Sequence, residues 1–210
     1  MMRIMLYNKS MLVNIAVSIV GIVVFLFMFW KRLKDDYSPE IIFSSAEYIL
    51  LGIMIGFLAA FKFIPNWFFW TTIFGGMIGL TVAVFRLRIR FYESLEAFII
   101  SLLPWLGFIF LEDSVVNSSL SSFLSFVAIL IIVFISYWLN VNYKSFTWYR
   151  SGKIGFTGLV TAGIVFILRS VIAATGRSVI SFAAGYETVI SAVAALICFL
   201  LLFNLGKVRK

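Results

Sequence analysis

Seven long runs of apolar residues fill almost the whole chain, and short charged or polar segments separate them. A run of about 18 or more apolar residues predicts a helix that crosses a membrane. The runs lack the apolar–polar alternation of strands in a membrane barrel, so the sequence predicts an all-α, polytopic bundle of transmembrane helices. The predicted spans are residues 11–30, 41–64, 67–85, 94–111, 120–140, 154–174 and 186–206.

Basic residues mark every second loop of this pattern. Of the 17 Lys and Arg residues, 12 follow spans 1, 3, 5 and 7. Because cytoplasmic loops of membrane proteins carry an excess of Lys and Arg, this side is predicted to face the cytoplasm. An odd number of spans then puts the N-terminus outside and the C-terminus inside. We therefore expect a multi-pass protein of the plasma membrane.

The composition supports one integral membrane domain over residues 1–210. Hydrophobic residues make up 63% of the chain and charged residues 12%, against about 25% charged in ordinary soluble domains. The basic loops account for the net charge of +8, so a nucleic acid is not an expected partner. The run Met11–Trp30 is too long for the core of a typical signal peptide, and its charge cluster follows it, which predicts a retained first span.

The residue types exclude several kinds of chemistry. The chain has no histidine and one cysteine, Cys198, which stands inside the last apolar run. Histidine is the commonest general base and the commonest metal ligand. The sequence also lacks the spacing of a metal site, a phosphate-binding glycine loop and a serine or cysteine nucleophile motif. No cofactor and no metal are expected.

Ionisable residues near or within the spans are the candidates for a site, because charges at membrane depth are costly. Most stand on the predicted outer side: Lys62, Glu112, Asp113, Arg169, Arg177 and Glu187. The cations are suited to a phosphate head group. The acids are suited to orienting those cations or to transferring protons. The alternative is structural, because Lys62, Arg177 and Glu187 are close enough to an interface to reach water, and Arg169 could pair with a neighbouring acid.

Two further sets of residues have structural interpretations. Glu93 and Glu96 are expected beside the basic residues of a cytoplasmic loop, where exposed pairs contribute little. Small residues four apart predict close helix packing. These pairs are Gly52 and Gly56, Gly75 and Gly79, and Gly158 and Ala162.

The middle of the chain resembles a known family, the prolipoprotein diacylglyceryl transferases. The segment Phe74–Leu80 contains a Gly-Gly-x-x-Gly motif, which a basic loop and the segment Ser94–Phe98 follow. The start of span 6 at Ser151–Gly155, and Arg169 later in that span, are also similar to the family's sixth span. The family has seven spans with the N-terminus outside. The resemblance covers roughly residues 67–174.

This resemblance implies transfer of a diacylglyceryl group from phosphatidylglycerol to the cysteine thiol of a lipoprotein precursor at the outer leaflet. A membrane phospholipid and a lipoprotein precursor are then the expected partners. Arg169 and Glu112 are the candidate catalytic residues. The candidate substrate-binding residues are Gly75, Gly76, Lys62, Arg177 and Glu187.

The chain departs from the family at several positions. The family's histidine is absent, and Phe108 stands where its key arginine is expected. Ile172 and Ala173 stand where an acidic residue is expected after the arginine of span 6. Three hypotheses therefore stay open: a divergent transferase, a non-catalytic relative that binds lipid or a partner helix, and a small transporter. The second predicts a cavity filled by bulky residues such as Phe108 and Phe110.

Overall fold

The computed structural model describes residues 2–146, 155–175, 179 and 182–207, with the backbone alone for residues 2–12 and Ala184. Every regular element in this part of the chain is a helix. The long helices are α1 (Met2–Leu33), α2 (Pro39–Phe63), α3 (Phe68–Leu87), α4 (Phe91–Asn117), α5 (Leu120–Asn142), α6 (Phe156–Ala174) and α7 (Glu187–Lys207). Short 3₁₀ turns occupy Pro65–Trp67, Tyr143–Ser145 and Ala184–Tyr186.

Seven helices in the described part of the chain are long and apolar enough to cross a membrane. The expectation of an all-α helix bundle of seven spans is confirmed. Each predicted span falls on one observed helix. The largest differences are in α1, which begins at Met2, and in α4, which continues to Asn117. Glu112 and Asp113 therefore lie inside α4, whereas the predicted span ends just before them, at residue 111.

Local sequence explains where several helices begin and end. Pro39 starts α2 at a position that needs no N–H donor. Pro65 forces the preceding Ile64 out of the helical region, and α2 ends there. The helix α3 ends at Arg88 and α4 at Ser118, both in the left-handed conformation typical of helix ends. The hydroxyl of Ser119 caps α5 by accepting a hydrogen bond from the N–H of Ser122 at 3.3 Å.

Helix α4 lies at the centre of the bundle and contacts α1, α3, α5 and α6. Aromatic side chains fill the contact with α1: Phe25 stacks on Phe29 and meets the edge of Phe98. Helices α2 and α3 form a close hairpin, and α6 packs along α7. The core is therefore built along one central helix, and the buried charged residues Glu96, Arg169 and Glu187 lie towards the ends of their helices.

Each end of the bundle holds a different set of turns. The basic end holds residues 34–38, 88–90 and the turn Tyr143–Ser145, and the far end holds residues 64–67, 118–119 and 182–186.

Candidate functional site

A buried carboxylate at the far end, that of Glu187, is the centre of the candidate site. Glu187 is the first residue of α7 and has no exposed surface. An acid at this position is favoured, because the N-terminus of a helix carries a partial positive charge. The backbone N–H of Ala183, four residues earlier, donates to Glu187 Oε2 at 3.0 Å. The segment just before α7 thus folds back onto the side chain of Glu187, the first residue of that helix.

Arg169 forms an ion pair with this carboxylate from the neighbouring helix α6. Its Nε and Nη2 atoms each lie 2.8 Å from Glu187 Oε1. The guanidinium also stacks on the ring of Phe69, with 3.6 Å between Cζ and the ring centre, and Phe182 lies 5.0 Å away. Arginine suits such a place, because its flat cation both donates in a fixed geometry and stacks on aromatic faces.

Two more donors complete the surroundings of Glu187. The indole N–H of Trp70 in α3 donates to Oε2 at 3.0 Å, and the hydroxyl of Ser191 in α7 donates to Oε1 at 2.6 Å. The carboxylate thus accepts hydrogen bonds from α3, α6 and α7 at once. A buried ion pair is tolerated only when its remaining hydrogen-bonding positions are also filled. This requirement is met, and the pair ties three helices together.

A narrow crevice opens beside Arg169 between α4, α5 and α6. Its volume is about 40 Å³, and apolar side chains form most of its wall. Its wall includes Leu106, Phe110, Ile129, Val165, Ile172 and Phe182. Among the residues that the structure describes, Arg169 is the one charged residue in this wall. A space of this size admits about one water molecule, so a lipid chain would enter only if the three helices separated.

Of the predicted site residues, the structure brings Arg169 and Glu187 together. Lys62 is exposed near the end of α2, with its ammonium 5.4 Å from the ring of Phe63. Glu112 is partly exposed in the last turns of α4. Arg177 lies outside the described residues.

The predicted substrate-binding glycines stand at helix contacts. A Cβ added at Gly75 would overlap the carbonyl oxygen of Gly52 in α2, and one added at Gly76 would press on Phe98 in α4. Gly52, Gly56, Gly75 and Gly79 all lie where the backbones of α2 and α3 touch. The close packing predicted from the pairs in α2 and α3 is therefore present.

A second buried ion pair lies at the basic end, where the sequence had suggested an exposed one. Glu96 is 4% exposed and pairs with Arg32 of α1. Arg32 Nη1 also donates to Asn140 Oδ1 of α5 at 2.6 Å, and the N–H of Gly155 donates to Glu96 Oε2 at 2.7 Å. The expectation for Glu96 was wrong, because this residue lies on the buried side of α4, where the helix packs against α1.

The neighbouring Glu93 does pair with a basic loop residue, but only Arg90 is exposed, at 72%, whereas the side chain of Glu93 is 11% exposed. Arg90 Nη1 donates to Glu93 Oε1 at 2.8 Å, and the hydroxyl of Tyr37 donates to Oε2 at 2.8 Å. Partial burial, reinforced by this carboxylate, raises the pKa of Tyr37 above its usual value. The same carboxylate raises the pKa of Arg90. At neutral pH the phenol is therefore protonated and able to donate.

Sequence reasoning missed Trp70, Ser191, Arg32 and Asn140. Trp70 stands among other aromatic residues near a span end, a pattern that an interfacial aromatic belt explains without a site. Ser191 could have been found, because residues four apart on a helix face each other and Glu187 precedes it by four. Among the described residues, no three His, Cys, Asp or Glu side chains come together as a metal site would need.

Comparisons of the chain with protein-family models, with curated proteins and with solved structures found no match. The geometry is thus the main guide to function: a saturated, buried Arg169–Glu187 pair beside a narrow apolar crevice at the far end of a seven-helix bundle.

Proposed function

We propose that the protein is a divergent relative of the prolipoprotein diacylglyceryl transferases that acts on phospholipid at the outer leaflet of the plasma membrane. The observation that carries this proposal is the position of Arg169. This residue matches the late arginine of the family's sixth span, lies at the far end of the bundle and lines the crevice beside α4. An arginine beside an apolar opening suits a phospholipid, whose phosphate is ionic and whose chains are not.

The proposal includes an orientation, with the N-terminus outside and the far end at the outer leaflet. The distribution of Lys and Arg among the loops supports this orientation. The far end is then the side on which an exported lipoprotein precursor presents its cysteine. Phosphatidylglycerol would approach from the surrounding leaflet, between α4, α5 and α6.

In the proposed reaction, the thiol sulfur of the precursor forms a bond to the glycerol carbon of the diacylglyceryl group. The bond from that carbon to the phosphate oxygen breaks, glycerol phosphate leaves, and the thiol proton passes to the leaving phosphate or to water. Arg169 would stabilise the negative charge of the departing phosphate, an effect that can be worth orders of magnitude in rate. Glu187 would hold the guanidinium in place.

The test is thiol labelling with purified protein, radiolabelled phosphatidylglycerol and a peptide that contains a lipobox cysteine. We expect label on the peptide with the natural protein and a loss of at least about 100-fold with Arg169→Gln. Arg169→Lys should recover only part of the activity, because lysine keeps the charge without the two-pronged geometry. Arg86→Gln is the matched control, because it removes an exposed arginine from the last turn of α3, towards the basic end of the bundle. We expect this variant to leave labelling unchanged.

A non-catalytic lipid-binding or partner-binding role is the second candidate, and a specific observation favours it. Both oxygens of Glu187 are already occupied by donors, and Phe110 forms part of the crevice wall beside Arg169. A carboxylate so engaged is a poor proton acceptor. This role predicts that phosphatidylglycerol co-purifies with the protein, that Arg169→Gln lowers its amount, and that no peptide is labelled.

A further inference from the structure

The outward face of α2 carries the carboxylate of Glu47 among apolar side chains. Residues at the same face are exposed: Phe43, Glu47, Leu51, Met54 and Leu58. The buried residues of the helix point the other way: Ile42, Ser45, Ala46, Ile49, Ile53, Gly56 and Ala60. At 100° per residue, Glu47 lies about 150° from the mean direction of the buried set. It thus faces away from the bundle.

Glu47 also lies within the thickness of the hydrocarbon. Helix α2 has 25 residues, which corresponds to about 37 Å, so a core of about 30 Å leaves about 4 Å of helix on each side. Glu47 is eight residues beyond Pro39, about 12 Å along the axis, and so about 8 Å inside the core. Lys62, at the other end of α2, is long enough to reach an interface. The two methylene groups of Glu47 are too short to do so.

The structure gives Glu47 no hydrogen bond and no ion pair with any residue that it describes. Acyl chains offer no donor either, and acidic side chains within membrane spans ordinarily face a partner. A second copy using the same face is a poor partner, because two parallel copies would set Glu47 against Glu47. A cationic group on a different chain is complementary to this carboxylate. The transmembrane helix that carries the cationic group is complementary to the apolar residues around Glu47.

We propose that the outward face of α2 docks a transmembrane helix of a partner protein that carries a lysine or arginine at the depth of Glu47. The charge pair sets the register, and the apolar residues on either side of Glu47 supply packing. This site is on the opposite side of α2 from the bundle core, and it does not depend on diacylglyceryl transfer.

The experiment measures association in phosphatidylcholine vesicles by energy transfer between labelled full-length protein and labelled single-span peptides. One peptide is a polyleucine helix with a lysine about 8 Å inside the hydrocarbon core, at the depth of Glu47 and on the side of the membrane where the basic end lies. The other peptide has leucine at that position. We expect the lysine peptide to bind about three- to thirtyfold more tightly, the range of interhelical polar contacts in membranes. Glu47→Gln should abolish that preference.

Glu40→Gln provides the matched control. Glu40 is exposed on the same face two turns earlier, where α2 begins, and is thus at the water interface. The variant Glu40→Gln removes the same charge as Glu47→Gln, and we expect it to keep the preference for the lysine peptide. Equal binding of both peptides to the natural protein would overturn the proposal, as would an undiminished preference in Glu47→Gln. Self-association that Glu47→Gln disrupts, without any peptide preference, would assign the face to a second copy instead.

Discussion

Two glutamates, Glu96 and Glu187, show how this apolar chain accommodates buried charge. Each is almost fully enclosed, and each accepts hydrogen bonds from an arginine and from a backbone N–H. Moving a charge from water into a protein interior costs several kcal/mol, and good pairing recovers that cost. Removing one partner therefore costs more than the pair as a whole contributes.

We expect Glu96→Gln to lower the free energy of unfolding by about 3 kcal/mol, because it leaves the charge of Arg32 uncompensated between helices. Thermal unfolding of the detergent-solubilised protein, followed by its loss of monodisperse elution, measures the effect. Replacing both partners, as Arg32→Met with Glu96→Leu, should restore most of the stability, because no unpaired charge remains. A double variant as unstable as the single one would contradict this account.

At the other pair, Ser191→Ala removes one donor from Glu187. Hydrogen bonds to charged groups contribute about 1.5–3 kcal/mol and neutral ones about 0.5–1.5 kcal/mol. Ser170→Ala is the matched control, because the hydroxyl of Ser170 donates to the neutral carbonyl of Thr188 at 2.9 Å. The melting temperature should fall further for Ser191→Ala than for Ser170→Ala. An equal fall for the two variants would mean that the hydroxyl of Ser191 contributes nothing specific to Glu187.

At the scale of helices, the α2–α3 hairpin depends on glycines that let two backbones touch. A Cβ at Gly79 would overlap the carbonyl oxygen of Tyr48, and backbone cannot move aside as a flexible side chain does. We expect Gly79→Ala to cost about 1–3 kcal/mol through forced separation of the helices. Gly107→Ala is the control, because the nearest atom to its Cβ would be a side-chain methyl carbon of Ile129, at 3.2 Å, and not backbone. Equal melting temperatures for the two variants would argue against close backbone packing.

The sequence predicts the helices better than it predicts the contacts between them. Hydrophobic length located all seven spans, since a membrane requires long apolar runs. It could not give the direction of Glu96, because that depends on which side of α4 packs against α1. The sequence allows Arg169 to pair with Glu112, Asp113 or Glu187, and only tertiary packing distinguishes these three options.

At the scale of the whole molecule, two polar junctions hold the bundle together at opposite ends. The Arg32–Glu96 junction joins α1, α4, α5 and the start of α6, and the Arg169–Glu187 junction joins α3, α6 and α7. Helix α6 takes part in both. In a membrane, where hydrophobic surface does not drive helices together, such polar contacts and close packing specify which helices are neighbours.

The proposed outer-leaflet chemistry requires that the far end, with the Arg169–Glu187 junction, faces outwards. Two single-cysteine variants in a Cys198→Ala background test this: Asn66→Cys at the far end and Asp35→Cys at the basic end, both at exposed positions. With a membrane-impermeant maleimide on intact cells, we expect Asn66→Cys to be labelled and Asp35→Cys to be labelled only after permeabilisation. The reverse pattern would put the junction at the cytoplasmic leaflet, out of reach of an exported precursor's cysteine, and the proposed acceptor would then be excluded.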